Sequence, residues 1–236
     1  MKSIPEKLKP FQLFNTYLNM AVYINQKNPS SKVLEKTLKS LPTCPGTCIF
    51  IDLVESTGIK YKKGIEHWGK LINNTFNFIS ILNDFPEYIV KGIGDELMIY
   101  IPDNVLATKP SLNTHYALIE EIHATIENIS TFPVKNLFLD CKVAMHYCTD
   151  VFNITFLKDY NDYYGKDIDM TARLMSKSGR NKIVFSEALF TRVKEDLQRL
   201  NINLENTCLS TASELIAENF KGIPFPVEYR TVQVQG

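Results

Sequence analysis

The chain lacks a net charge: 26 lysines and arginines face 26 aspartates and glutamates over 236 residues. No net positive field therefore draws it to nucleic acid or an anionic membrane, although a local cationic pocket is compatible with that balance. Nucleic-acid binding is not expected. It also lacks a cysteine framework, since Cys44, Cys48, Cys141, Cys148 and Cys208 form neither an even disulfide set nor paired C-x-x-C zinc motifs. They read as reduced thiols of a cytosolic protein. No run of about 20 apolar residues occurs, and the charged start Met1-Lys-Ser-Ile-Pro-Glu-Lys7 carries no signal-peptide core. The expected location is cytoplasmic, with no membrane insertion. Internal repeats and low-complexity linkers are missing too. What is present, 44% hydrophobic and 22% charged residues, suits one soluble catalytic-sized domain with a good core.

Two regions follow from the periodicity. Over residues 1–44, Leu8, Phe11, Phe14, Leu18, Met20 and Val22 recur at roughly helical spacing, interrupted by Asn28-Pro-Ser-Ser31. This predicts an N-terminal arm of two helices, packed on a partner subunit or on the domain's own sheet. Residues 45–236 open with an apolar, β-branched strand from Thr47 to Val54, buried on both faces. Ser56-Thr57 then starts one long helical pattern to about Leu82. Apolar runs 86–90 and 96–101 are joined by Lys91-Gly-Ile-Gly-Asp95, a hairpin with glycine in the turn. Helix is predicted over 112–129, strand over 137–146, helix over 165–175, strand over 182–185, helix over 187–200 and strand over 226–234. The order βαββαβ followed by further elements predicts an α+β, ferredoxin-like sheet with helices on one face and extra C-terminal strands.

Three constellations carry chemistry. Asp52 and Asp95 each end an apolar strand at a Gly or Ser/Thr turn. Singly, such an aspartate more often caps a helix or shapes a turn. Two at matched strand–turn positions are suited to converge on Mg²⁺ or Mn²⁺ over a triphosphate, where the ions neutralise charge and lower the pKa of an attacking hydroxyl. The turn 53–57 would aim backbone N–H groups at an anion, or Ser56 and Thr57 cap the helix, or both. In Asp162-Tyr-Tyr-Gly-Lys-Asp-Ile-Asp-Met-Thr-Ala-Arg-Leu174, a helix from about Lys166 puts Asp169 and Arg173 on one face. That is either a solvated ion pair or an arginine placed to stabilise charge on a phosphorane.

The motifs Phe50-x-Asp52-Leu-x-x-Ser56-Thr57, Lys91-x-Ile-Gly-Asp95 and Gly165-x-x-Ile-Asp169-x-x-Ala-Arg173-Leu, in that order and spacing, resemble the class III nucleotidyl cyclases, adenylate and guanylate cyclases included. The resemblance runs from about Thr47 to the C-terminus and implies that family's catalytic domain. It implies that Asp52 and Asp95 bind two Mn²⁺ or Mg²⁺ ions per site, with Ile51 or Leu53 lending a backbone carbonyl. It further implies that Arg173 is the transition-state arginine, that Lys221 contacts the triphosphate, and that Lys91 and Asp162 read the base. Because in that family the arginine and its helix serve the site whose metals belong to the other subunit, the resemblance implies a homodimer with two composite sites.

The departures from the family pattern are Asp169 in place of the ribose-orienting asparagine, Glu55 for a glycine of the first turn, and Cys148 for a glycine after His146. A carboxylate at 169 would repel phosphates, so it faces ribose or base, or is neutralised by Arg173. The block Tyr-Gly-Lys-Asp-Ile-Asp-Met-Thr-Ala-Arg-Leu resembles most the bacterial pyrimidine cyclases of antiphage defence. Those make cUMP or cCMP as a signal for a separate cyclic-nucleotide effector. The expected substrate is therefore UTP or CTP, with bulk from Phe50, Tyr163 and Tyr164 excluding purines. Base-edge polarity does not choose, because the Lys91 donor and Asp162 acceptor also suit adenine. An adenylate cyclase is the alternative, and a silent nucleotide-binding dimerisation module is the non-enzyme one. Gly92-Ile-Gly-Asp-Glu-Leu97 copies the diguanylate cyclase signature superficially, but the Arg173 block has no role in that family.

Overall fold

The computed structural model describes residues 11–15, 20–24, 39–82, 88–108, 112–134, 136–153 and 162–235. In chain order the strands are β1 (Phe11–Asn15), β2 (Met20–Ile24), β3 (Gly46–Leu53), β4 (Ile89–Ile93), β5 (Glu96–Pro102), β6 (Cys141–Cys148), β7 (Phe152–Asn153), β8 (Tyr163–Tyr164), β9 (Lys182–Ser186), β10 (Ile216–Glu218) and β11 (Val227–Gln233). The helices are α1 (Ser56–Lys63), α2 (Ile65–Leu82), α3 (Asp103–Leu106), α4 (His115–Ser130), α5 (Lys166–Leu174) and α6 (Glu187–Leu200). Seven strands form one sheet in the order β10-β11-β9-β6-β3-β5-β4. All pairs are antiparallel except β6 with β9. Within it, β6-β3-β5-β4 is the ferredoxin-like order of the first βαββαβ unit, and β9, β11 and β10 extend it on one side. The predicted α+β fold is therefore present.

β3 is an interior strand of the sheet, between β6 and β5, for the reason legible in its sequence: seven of its eight residues are buried, and the exception is Asp52. Strand pleat sends Ile49, Ile51 and Leu53 to one face and Cys48, Phe50 and Asp52 to the other. The first face packs against α2, α4 and α6 in the main core, with Leu71, Ile79, Leu118, Ile122, Ile126, Leu189 and Val193. Cap chemistry fixes two of these helices, Thr114 accepting from the Ala117 N–H and Ser186 from the Leu189 N–H.

Four expectations need correction. Helices do not lie on one face only, because α5 covers part of the other, where Phe50, Met98, Tyr100 and Cys148 meet Ile168, and Ala144 and Val184 meet Leu174. The single helix over 56–82 is two, broken at Gly64, whose φ of 84° and ψ of 166° are non-helical. The hairpin strand runs later than 86–90, with a bulge between Ile89 and Lys91, so Lys91 and Gly92 lie inside β4. In the arm, the stretch expected as helix holds β1 and β2, paired antiparallel with Phe11 opposite Ile24 and Leu13 opposite Val22. Phe11/Leu13 and Met20/Val22/Ile24 alternate with period two, and short apolar runs of this kind fit strand as well as helix. Apart from Lys39–Ser40, which are helical, the rest of the predicted arm helices lies outside the described residues.

Where the chain enters the sheet, the Cys44 N–H donates to the Val151 carbonyl at 2.7 Å and the Cys44 carbonyl accepts from the Tyr100 hydroxyl. The Tyr100 ring stacks on Tyr163 with centroids 4.2 Å apart.

Candidate active site

At the end of β3, Asp52 stands across the ladder from Glu96 on β5 and Lys142 on β6. Its side chain is about one-fifth exposed and accepts an ion-paired hydrogen bond from Lys142 Nζ. Asp95 occupies the β4–β5 turn just after Gly94, whose φ of 68° is the left-handed geometry that favours glycine. Its carbonyl accepts from the Leu53 N–H at 3.3 Å, which ties the turn to the end of β3. Three carboxylates, Asp52, Asp95 and Glu96, thus share a corner with the cation of Lys142. The effect shows on Glu96, whose carboxyl is pushed up to about 7, first by burial and then by the charges of Asp52 and Asp95, with Lys142 opposing.

The turn after β3 is built differently from a side-chain cap. Glu55 sits at the N-cap of α1 with φ 57°, and no side chain caps the first turn. Ser56 is buried, and its Oγ accepts from Trp68 Nε1 at 2.7 Å, fastening α2 beneath the turn. Thr57 is exposed. The reading of Ser56 and Thr57 as caps therefore gives way, and the first-turn N–H groups point outward without a side-chain acceptor. Glu55 instead pairs with Arg180 at 2.9 Å, and Arg180 also pairs with Asp140.

Beside this corner lies a pocket of about 510 Å³ lined among others by Phe50, Lys91, Glu96, Tyr163, Tyr164 and Asp169. Lys91 Nζ bonds both oxygens of Asp162, at 2.9 and 3.1 Å, and lies 5.3 Å from the centroid of the Tyr164 ring. Phe50 is buried beneath the pocket. Asp169 is exposed and faces the pocket. Of the two fates considered for it, facing the pocket is the one observed, since no ion pair joins it to Arg173 among the described residues.

Arg173 is exposed near the end of α5 and lines no part of this pocket. Lys221 sits in the turn between β10 and β11. Between that hairpin and β3 lie β9 and β6, so three strand spacings, about 14 Å in all, separate β11 from β3. One chain thus gathers Asp52, Leu53 and Asp95 at one corner with Ser56 in the next turn, and lines the adjoining pocket with Phe50, Lys91 and Asp169, Asp162 being bonded to Lys91; Arg173 follows Asp169 by one helical turn outside the pocket lining, and Lys221 lies on the β10–β11 side of the sheet. Sequence reasoning missed Lys142 and Glu96. A lone lysine in the apolar run Cys141–Cys148, and a glutamate directly after Asp95, were the available signals.

Residues 40–209 match the family described as the adenylate and guanylate cyclase catalytic domain. The chain belongs to this family. It is a nucleotidyl cyclase of the class III type, a lyase. A search by sequence among curated proteins found no relative of this cyclase. By structure it is similar to the adenylyl cyclase CyaB from P. aeruginosa, with a TM-score of 0.58 and 19% identity over 82% of this chain and 95% of that one. It is also similar to an adenylate cyclase from Trypanosoma brucei in its monomeric state, with TM-score 0.57 and 15% identity over 82% and 89%. The guanylate cyclase domain of RhGC from Catenaria anguillulae, in complex with GTP, gives 0.56 and 13% over 82% and 98%. These likenesses carry the fold.

Cyclases of this class use divalent Mg²⁺ or Mn²⁺ at the nucleotide site. The corner of this cyclase fits such ions: its donors are hard carboxylate oxygens, and Glu96 records an excess of negative charge that Lys142 does not balance. Among the described residues, no helix is long and apolar enough to cross a membrane.

Proposed function

We propose that this cyclase converts UTP or CTP to the 3′,5′-cyclic nucleotide and pyrophosphate, as the signal-producing enzyme of an antiphage system. The observation that carries the reading is the pocket wall. Phe50, Tyr163 and Tyr164 supply bulk on one side, and the Lys91–Asp162 pair presents a donor and an acceptor at the rim. A small base placed there meets an aromatic surface and a polar edge together. The resemblance of the Gly165–Leu174 block to pyrimidine cyclases supports the same choice.

Two ions held by Asp52, Asp95 and the Leu53 carbonyl would neutralise the triphosphate and acidify the ribose 3′-hydroxyl. The protein's part is to position. The first turn of α1 donates N–H groups to phosphate oxygens, Lys91 and Asp162 orient the base, and Asp169 accepts from a ribose hydroxyl. The 3′-oxygen then bonds to the α-phosphorus as the bond to the β-phosphate oxygen breaks, and pyrophosphate leaves. Arg173 stabilises the charge that develops, and Lys221 holds the triphosphate. The place of the Lys221 hairpin, with β9 and β6 between it and β3, supports a homodimer in which Lys221 and the helix of Arg173 serve the partner's corner.

The test is incubation of the purified protein with Mn²⁺ and each of the four nucleoside triphosphates. Cyclic UMP or CMP is expected; a cyclic purine as the sole product would sink the assignment. Asp52→Ala and Arg173→Ala proteins, each inactive, are expected to regain partial activity when mixed. No recovery from a verified mixed dimer would remove the composite site. An adenylate cyclase is the second reading, favoured by the same Lys91–Asp162 pair, and the product identity separates the two. In the first reading, the product acts on a separate cyclic-nucleotide-binding effector.

A further inference from the structure

We propose that His146, Cys148 and Asp167 bind one zinc-class divalent cation that pins the first turn of α5 to the sheet. This site is distinct from the carboxylate corner at Asp52 and independent of which nucleotide is cyclised.

The register assembles it. Cys48 on β3 lies directly opposite His146 on β6, and directly opposed residues project to the same face. Cys148, two residues along, shares that face. It is the face covered by α5, whose first turn carries Asp167. Close approach there is enforced by Gly165, where any Cβ would overlap the Asp150 carbonyl oxygen. One donor atom each from His146, Cys148 and Asp167 lies within 4.8 Å of the other two, and all three residues are buried. Cys48, fully buried, interacts with the Cys148 thiol but lies outside that group of three, which offers one sulfur, one imidazole and one carboxylate.

Hydrogen bonding alone leaves this cluster incomplete. His146 is only 5% exposed, yet its Nδ1 has no hydrogen-bond partner. Its Nε2 faces Asp167 Oδ1 at 3.8 Å, beyond hydrogen-bond reach. Asp167 Oδ2 is committed, accepting from the Thr149 and Asp150 N–H groups at 2.7 and 2.9 Å. Oδ1 remains for a cation, held in place by those second bonds as metal-ligating carboxylates usually are. Cys148, whose thiol burial raises, must lose its proton to bind, so uptake releases protons. The pattern escaped the cysteine spacing rules because its ligands come from a strand and a helix rather than a C-x-x-C turn.

Full-length protein purified without chelator is expected to contain one zinc per chain by elemental mass spectrometry. After exchange into Co²⁺ it is expected to show thiolate-to-cobalt charge-transfer absorption with tetrahedral d–d bands. Cys148→Gly and Asp167→Asn should lose the metal, with release followed alongside circular dichroism. Asp52→Ala should retain the absorption, because the carboxylate corner offers no sulfur. The proposal is overturned if the wild-type protein holds no stoichiometric zinc and gives no thiolate–cobalt absorption, an assay that needs no variant to fold. It is equally overturned if the absorption persists in a folded Cys48→Ser/Cys148→Gly protein.

Discussion

Replacing Glu96 by glutamine should flatten the pH dependence of stability in the metal-free protein. The Glu96 carboxyl rises from an ordinary 4.5 to about 7 because it is half-buried beside Asp52 and Asp95. The folded state therefore binds a proton more tightly than the unfolded chain. Stability from this group is complete below pH about 4.5 and is lost as pH rises through about 7. Such a rise is worth about 3 kcal/mol if fully felt, and the partial exposure of Glu96 reduces it to about 1–2 kcal/mol. In a domain of this size that is a shift in melting temperature of about 2–8 °C. Thermal melts in EDTA between pH 5 and 8 should show the wild-type protein weakening across that window, with Glu96→Gln losing less and being the more stable of the two at pH 8. Saturating Mn²⁺ should abolish most of the difference, because the ions supply the missing positive charge. Parallel pH profiles for the two proteins in EDTA would refute the placement of three carboxylates in one electrostatic corner.

Lys142→Met removes the cation paired with Asp52 and should cost about 1–2 kcal/mol in EDTA, with most of the loss recovered by Mn²⁺; an equal loss with and without the ion would count against it. Gly165→Ala forces a methyl against the Asp150 carbonyl and should cost about 2–3 kcal/mol together with activity, checked by the urea midpoint, which must not stay at the wild-type value. Glu55→Gly relieves a left-handed residue, worth about 1 kcal/mol, and gives up an exposed pair with Arg180 worth less than that. A melting temperature unchanged or slightly higher is expected, and a clear fall would show that the Arg180 pair matters more than its exposure implies.

The interior strand was legible because β3 is apolar on both faces and interrupted only at Asp52, a pattern that neither an amphipathic helix nor a half-exposed strand produces. The αβ alternation that follows was legible from periodicity, and α6 was read to the residue because Ser186 caps it and Asn201 ends it with φ 56°. The break at Gly64 was not, since Ile65, Trp68, Leu71, Ile72 and Thr75 continue the 3.6-residue pattern through it. Nor does periodicity say which face of a sheet a helix covers, which is how α5 came to be placed with the others. The site separates in the same way. Asp52, Asp95, Lys91 and Asp162 sit at turns or in motifs and announce themselves. Lys142 and Glu96 acquire meaning only from the register that sets them on either side of Asp52, and long-range pairing leaves no local trace in the chain.

The bonds at Cys44 have a mechanical meaning. Whatever precedes this residue enters the domain at a point tied to Val151 on one side and to Tyr100 on the other, and Tyr100 is the backing on which Tyr163 rests. Tension on the incoming segment reaches the aromatic wall of the pocket through one side-chain hydrogen bond and one stacked ring pair. It does so without crossing the carboxylate corner. The aromatic wall of the pocket and the carboxylate corner thus rest on separate parts of the framework, and the support of the wall runs back to Cys44.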